Sequence, residues 1–255
     1  MAVRDPLFAC PKCRGVLQRR KDQLRCNSCL ATVSREHGWW EMLDADQGST
    51  VFDRLSTIYE TPLWFPTVYR VLGGPTAPRD DREWISSHIQ ASEATVLDVA
   101  CGPGRLIRYM APGIAAGWGI DTSARMLTLA VRRARQAGHD DLTFARMDAT
   151  ALDFPDGVFD ATTCGWALHL FPDPASCLGE MYRVLRPGGV LSGATLAPAG
   201  PLAVPGVRMM LRIGMDGRTF TRETLAGLLT KAGFQPLEFE RYGGALFFSA
   251  ERPER

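Results

Sequence analysis

The sequence predicts an α/β protein: a mainly parallel, doubly wound sheet with a small cysteine-bearing module ahead of it. Two observations carry this expectation. From residue 95 onward, short apolar runs alternate with helical stretches, the pattern of strands buried under helices on both faces. Before that, the first 40 residues hold two C-x2-C pairs. A chain of 255 residues with 45% apolar content has room for one good-sized domain and an appendage. The net charge of +1 excludes a surface that is basic throughout. No run of 18 apolar residues occurs, so no membrane span is expected, and MAVRDPLFACPKC lacks an apolar signal core. The expected location is cytoplasmic. Thiols stay reduced there, so the seven cysteines point to metal ligation or free thiols rather than disulfides.

Residues 1–40 read as a zinc-ribbon module. Cys10, Cys13, Cys26 and Cys29 follow the pattern C-x2-C-x12-C-x2-C. Each pair sets two thiolates on one side of a turn. GVLQRR and DQLRC form a hairpin around Arg20, Lys21 and Asp22 that returns the chain. Four thiolates in a tetrahedron make a closed structural zinc site. Gly15 suits a turn needing positive φ. So small a module has little core of its own, and metal binding would supply its folding energy. Residues 41–92 read as an irregular, partly helical cover or linker, with a helix from about Pro78 placing Trp84, Ile85, His88 and Ile89 on one face.

Residues 93–255 carry the alternating pattern. TVLDVA, AGWGID, LTFARMDA, FDATTCGWA and VLSGATLA are predicted strands. Between them lie helices: RLIRYMA, SARMLTLAVRRARQAG closed by Gly138, and PASCLGEMYRVL stopped by Arg186-Pro187-Gly188-Gly189. TRETLAGLLTKAGF is a helix with Thr221 as its cap and Gly233 at its end. PLEFERY and ALFFSAE close the chain as an antiparallel pair at one edge.

In such a sheet ligands sit at the carboxyl ends of the strands. The loop Ala100-Cys101-Gly102-Pro103-Gly104 lies there, after the first strand. It lacks the third glycine of a dinucleotide fingerprint and the terminal Gly-Lys-Ser/Thr of a triphosphate loop. Asp121 ends the second strand about 20 residues on, where a carboxylate can accept from both hydroxyls of a ribose. Asp148 follows the third strand and can accept from an exocyclic amine. The set describes an adenosine-containing ligand without phosphates.

Together VLDVACGPGR, GIDTSARML, ARMDATALDFPDGVFDATTCGWALHLFPDP and YRVLRPGGVL resemble, in order and spacing, the class I S-adenosylmethionine-dependent methyltransferases, over about residues 95–251. The resemblance implies a Rossmann-like, seven-stranded sheet with an antiparallel last strand. It implies that Ala100, Gly102 and Gly104 line the methionine part of the cofactor and that Asp98 orients their loop. Asp121 would take the ribose, with Thr122 and Met126 near the adenine and Asp148 and Ala149 along its edge. Cys164 and Gly165 would face cofactor and acceptor. Ala100 departs from the glycine common at that position. S-adenosylhomocysteine would be the product.

Transfer from a sulfonium relies mainly on holding the nucleophile in line, and an aromatic ring near the positive charge helps. Tyr59 is the candidate cover. His169, after the fourth strand, is the candidate general base. Residues 198–216 interrupt the sheet with proline, glycine and Met209, Met210, Leu211, Ile213 and Met215, which suggests an adaptable apolar lid. With Trp39, Trp40, Trp64, Phe65 and Trp166 it would enclose a small, hydrophobic or aromatic acceptor, in the manner of quinone-pathway and polyketide-type methyltransferases. An RNA base methyltransferase is the alternative. A family of ribosomal RNA guanine-N1 enzymes also joins a zinc module to this domain, and residues 1–35 hold eight Lys or Arg against two Asp. Against it, the remainder of the chain is not basic, and no Asn-Pro-Pro-Tyr motif follows the fourth strand. A cofactor-binding, cyclase-like protein that transfers no methyl is the third reading.

Overall fold

A computed structural model of the chain describes residues 7–43, 64–89, 93–209 and 217–254, with the side chains of Trp64 and Phe65 excepted. The first four strands are β1 (Leu17–Arg20), β2 (Gln23–Cys26), β3 (Thr32–Glu36) and β4 (Trp39–Glu41). Two cover helices follow, α1 (Trp64–Gly73) and α2 (Asp81–Ser87). Then come β5 (Thr95–Val99), α3 (Arg105–Met110), β6 (Ala116–Asp121), α4 (Ala124–Gln136), β7 (Thr143–Arg146), β8 (Phe159–Gly165), α5 (Pro174–Val184), β9 (Leu185–Leu196), α6 (Arg222–Ala232), β10 (Leu237–Tyr242) and β11 (Ala245–Glu251).

The strands lie in the order β1-β2-β3-β4-β7-β6-β5-β8-β9-β11-β10. Pairing is parallel from β4 to β9 and antiparallel where β11 meets β9 and β10. From β5 the chain winds outward through β6 and β7, then returns to the other side of β5 with β8. The switch point therefore lies between β5 and β8, where a crevice opens at the carboxyl edge. The seven strands from β7 to β10 in this order, with β11 the reversed one, match the expected sheet.

The sheet does not stop at β7. Trp40 and Glu41 pair in parallel with Ala145 and Arg146, and β4 carries β3, β2 and β1 behind it. Trp39 and Trp40 are buried at this junction, and Trp39 Nε1 donates to Thr128 Oγ1 on α4 at 3.2 Å. They belong to the core and not to an acceptor pocket: Trp39 packs under α4, and Trp40, on the opposite face, packs with Phe8, Leu24 and Val33.

Local chemistry sets the helix ends. Asp80 caps α2 by accepting from Arg82 N, Ser123 caps α4 by accepting from Met126 N, and Asp173 caps α5 with Pro174 in its first turn. Thr221 caps α6, and Gly233 closes it at φ 107, as the sequence predicts. Two apolar layers flank the sheet. One joins α5 and α6 to Phe8, Leu17, Leu24 and Val33 of the N-terminal strands; the other joins α1 to α4 around Ile85, Ile107, Leu127 and Phe247. Among the described residues no helix is long and apolar enough to cross a membrane.

Candidate active site

The loop between β5 and α3 is built from left-handed backbone: Ala100 has φ 54, Gly102 φ 53 and Gly104 φ 71. The two glycines serve different ends. A Cβ on Gly104 would meet Ala130 Cβ at 3.2 Å and the Phe144 ring, so this glycine lets α3 sit close to α4 and the sheet. A Cβ on Gly102 would meet nothing within 4 Å; that side of the loop is open space a ligand can enter. Ala100 takes a left-handed conformation that costs a residue with a Cβ about 1–2 kcal/mol.

Two carboxylates flank the loop. Asp98 is buried, and its Oδ1 accepts from Thr163 Oγ1 at 2.8 Å. Its Oδ2 is buried without a hydrogen-bond partner. Burial pushes its pKa up to about 7, against the pull of Thr163. Asp121, at the tip of β6, accepts from Gly102 N at 2.9 Å through Oδ2 and from Ser123 N at 2.8 Å through Oδ1. One side chain thus ties the loop to the start of α4. The open face at Gly102 and the half-buried carboxylate of Asp121 suit a polar, nucleoside-sized ligand.

The rim beyond Asp121 is also set by hydrogen bonds. Met147 N donates to Asp121 O at 3.1 Å. Asp148 forms a tight turn, accepting from Thr150 N at 2.8 Å, and Ala149 is buried beside it. Met126 lies in the core under the first turn of α4. Arg146 Nε donates to Thr122 O at 2.8 Å, and Arg146 Nη1 to Glu41 Oε2 at 3.1 Å. Glu41 therefore brings the N-terminal strands to the edge of the same crevice. This link is not legible in sequence, since its two halves lie far apart in the chain.

On the other side stand α1, α2 and the end of β8. Trp166, the residue after β8, has φ 64. Its ring meets those of Tyr69 and Phe247 edge-on at 5.6 and 5.9 Å. Trp166 Nε1 donates to Asp81 Oδ2 at 2.7 Å, and Arg105 makes a two-pronged ion pair with the same carboxylate. Gly165 lies near Leu106 and Ile85. Cys164 is fully buried in the α5–α6 layer, and burial raises its thiol far above the ordinary range. His169 is also buried; its Nδ1 lies 3.5 Å from Thr195 Oγ1. Burial lowers its pKa to about 3, so the ring is neutral near pH 7 and a weak base. Tyr59, Met210, Leu211, Ile213 and Met215 lie outside the described residues; Met209, just before them, is exposed.

The four cysteines of the two C-x2-C pairs come together. Their sulfurs lie within 4.8 Å of one another, with Cys10 and Cys29 at 3.5 Å and Cys13 and Cys26 at 3.4 Å. A tetrahedral zinc with bonds of about 2.3 Å needs sulfurs about 3.8 Å apart, so the donor set fits. Arg14 and Leu30, each following the second cysteine of a pair, hold φ 61 and 62, which turns the backbone around the cluster. The N–H groups of Cys29 and Ser28 point at Cys26 Sγ and pull its pKa down to about 6. Arg14 reaches across to the loop after β7, donating to Leu152 O at 2.7 Å and Phe154 O at 3.0 Å.

The chain is similar to known proteins. The residue pattern of the methyltransferase-domain family matches residues 97–192. An uncharacterized chloroplastic methyltransferase of Arabidopsis thaliana is 26% identical over 97% of this chain and 78% of its own length. A demethylmenaquinone methyltransferase of Lactiplantibacillus plantarum is 33% identical over 60% of this chain and 75% of its own. Among solved structures, an S-adenosylmethionine-dependent methyltransferase of Aquifex aeolicus superposes with a TM-score of 0.60 at 17% identity, covering 78% of this chain and 98% of that one.

Proposed function

Because the chain belongs to the S-adenosylmethionine-dependent methyltransferases, we propose that it passes a methyl group to a small, flat, apolar acceptor of the quinone kind. The observation that carries this reading is the half-buried ring of Trp166 at the carboxyl end of β8, backed edge-on by the buried rings of Tyr69 and Phe247. Flat rings favour the faces and edges of other rings. Relatives at 40, 28 and 33% identity bear the name demethylmenaquinone methyltransferase, which supports the same class.

When bound, S-adenosylmethionine supplies an electrophilic methyl group on a sulfonium. Ala100, Gly102 and Gly104 would hold its methionine part, on a loop kept in shape by Asp98. Asp121 would accept from the ribose hydroxyls. Thr122, Met126, Asp148 and Ala149 would border the adenine, and Tyr59 would cover the sulfur. Cys164 would border the site through its main chain, since its thiol faces the core. His169, weak as a base, would act as a neutral ring that accepts a hydrogen bond from the acceptor's hydroxyl. The four cysteines would hold one structural zinc ion.

The test offers the protein labelled S-adenosylmethionine with either a short-chain demethylnaphthoquinol or ribosomal RNA. Label is expected in the quinol, more slowly in His169→Ala. By calorimetry, Asp121→Ala is expected to weaken S-adenosylhomocysteine binding at least about tenfold, the loss of one charge-assisted hydrogen bond or more. Label in RNA alone would overturn the acceptor class and make the basic ribbon an RNA grip. Binding with no label in either acceptor would point to a non-methylating, cyclase-like role.

A further inference from the structure

One buried carboxylate gathers three segments of the chain. Asp81 opens cover helix α2, and its side chain is 3% exposed. Arg105, which donates to both its oxygens, is the first residue past the glycine loop. Trp166, which donates to Oδ2, is the first residue past β8. A carboxylate withdrawn from water is strongly unfavourable unless its charge and lone pairs are met, and here a bidentate guanidinium and an indole N–H meet them. Asp81 does not cap its own helix, since Asp80 holds that role.

Trp166 adds an independent observation. A bulky residue at φ 64 is an outlier, and such strain persists only where the surroundings over-determine it. Its backbone N–H is fixed on Ala194 O at 2.8 Å. Its ring is fixed by Tyr69, by Phe247 and by Asp81. Tyr69 is fixed in turn, donating to Pro78 O at 3.0 Å just ahead of α2. The strained tryptophan stands at the carboxyl end of a central strand, next to the switch point, where a ligand's reacting end would lie.

We infer that Asp81 is a positioning residue: it holds Trp166 as the wall that selects the acceptor and Arg105 as the anchor of the glycine loop, so that cofactor cradle and acceptor wall take their working positions together. The inference rests on the methyl-transfer reading above and adds to it the origin of acceptor selectivity. Asparagine at 81 keeps the shape but loses the charge, and its amide N–H2 sets a donor against one of the two donors it must face, so neither Trp166 nor Arg105 is held as before. Phenylalanine at 166 keeps a ring and removes the donor.

Three readouts on the full-length protein test this. They are calorimetric affinity for S-adenosylhomocysteine, kcat and KM for the short-chain demethylnaphthoquinol, and amide exchange of α2 with and without S-adenosylhomocysteine. Trp166→Phe is expected to raise quinol KM about tenfold, the worth of one hydrogen bond to a charged group, while leaving S-adenosylhomocysteine affinity within about twofold. Arg105→Lys is expected to do the reverse, since a lysine cannot reproduce the bidentate pair. Asp81→Asn should do both, and combining it with Trp166→Phe should raise KM no further. Exchange in α2 should slow on S-adenosylhomocysteine binding in the wild type and not in Asp81→Asn. Additive single effects on KM, or α2 protection that survives in Asp81→Asn, would overturn the inference. If the wild type binds S-adenosylhomocysteine but leaves the quinol unmethylated, the acceptor class fails alone and the exchange experiment decides the coupling. If Asp81→Asn does not fold, the opposed effects of Trp166→Phe and Arg105→Lys decide it.

Discussion

Ala100 carries a methyl group where its backbone, at φ 54, favours a residue without one. Glycine there removes strain of about 1–2 kcal/mol and restores chain freedom worth about 0.5–1 kcal/mol in the unfolded state. Ala100→Gly is therefore expected to stabilise the protein by up to about 1 kcal/mol, read as a higher midpoint in denaturant. A second residue-scale prediction concerns pH. The pKa of Asp98, raised by burial to about 7, means the folded state keeps a proton the unfolded state has released; its contribution to stability falls as pH rises from about 4 to 7. The pKa of His169, lowered by burial to about 3, means the unfolded state takes up a proton the folded state refuses; its contribution falls as pH drops from about 6.5 towards 3. The two oppose each other between about pH 4 and 6.5. Melting curves should separate them: Asp98→Asn should gain relative to wild type as pH rises to 7, and His169→Gln as it drops to 5. Parallel curves for wild type and both variants would refute the assignments. The placement of Gly102 and Asp121 side by side at the carboxyl edge is legible in sequence because the strands that carry them are neighbours in the strand pattern. The special place of Asp81 is not. Beside Asp80, and ahead of a helix, it reads as part of a capping turn, and its partners Arg105 and Trp166 come from segments with no local relation to it.

At the scale of elements, the alternation of apolar strands and amphipathic helices was readable from residue 95 onward, because each strand is long enough to show its pattern. Strand β4 was not readable: it has three residues, Trp39–Glu41, and two are buried tryptophans. So short an apolar run has no period to recognise. Its pairing with β7 makes the cysteine cluster a support of the larger fold. Phe8 and Phe154 stack at 5.2 Å, Ala9 N donates to Asp153 O at 2.8 Å, and Arg14 holds the same loop. Metal analysis is expected to find one zinc per chain, and none after Cys10→Ser and Cys13→Ser together. Because the cluster shares a core with β7 and α5, stripping the zinc with a chelator should lower the melting temperature of the whole chain as one transition. A separate early transition, with the main one unmoved, would show instead that the module folds and unfolds on its own.

Across the whole molecule, one continuous sheet passes from the cysteine-bearing strands through the crevice to β10. A sheet's outermost strands expose unpaired N–H and C=O groups and invite other chains to add to them. In the seven-stranded core, β7 would be such a border, carrying TFAR with a buried, apolar middle. β4 covers it, and the free border moves out to β1, which reads LQRR. At the far side the border is β10, which reads LEFERY. Both outer margins are thus strands bearing ionised side chains, which hold water and discourage another copy of the same margin from zipping on. The appended module therefore also acts as a hem, sealing the flank nearest the ligand crevice against self-association.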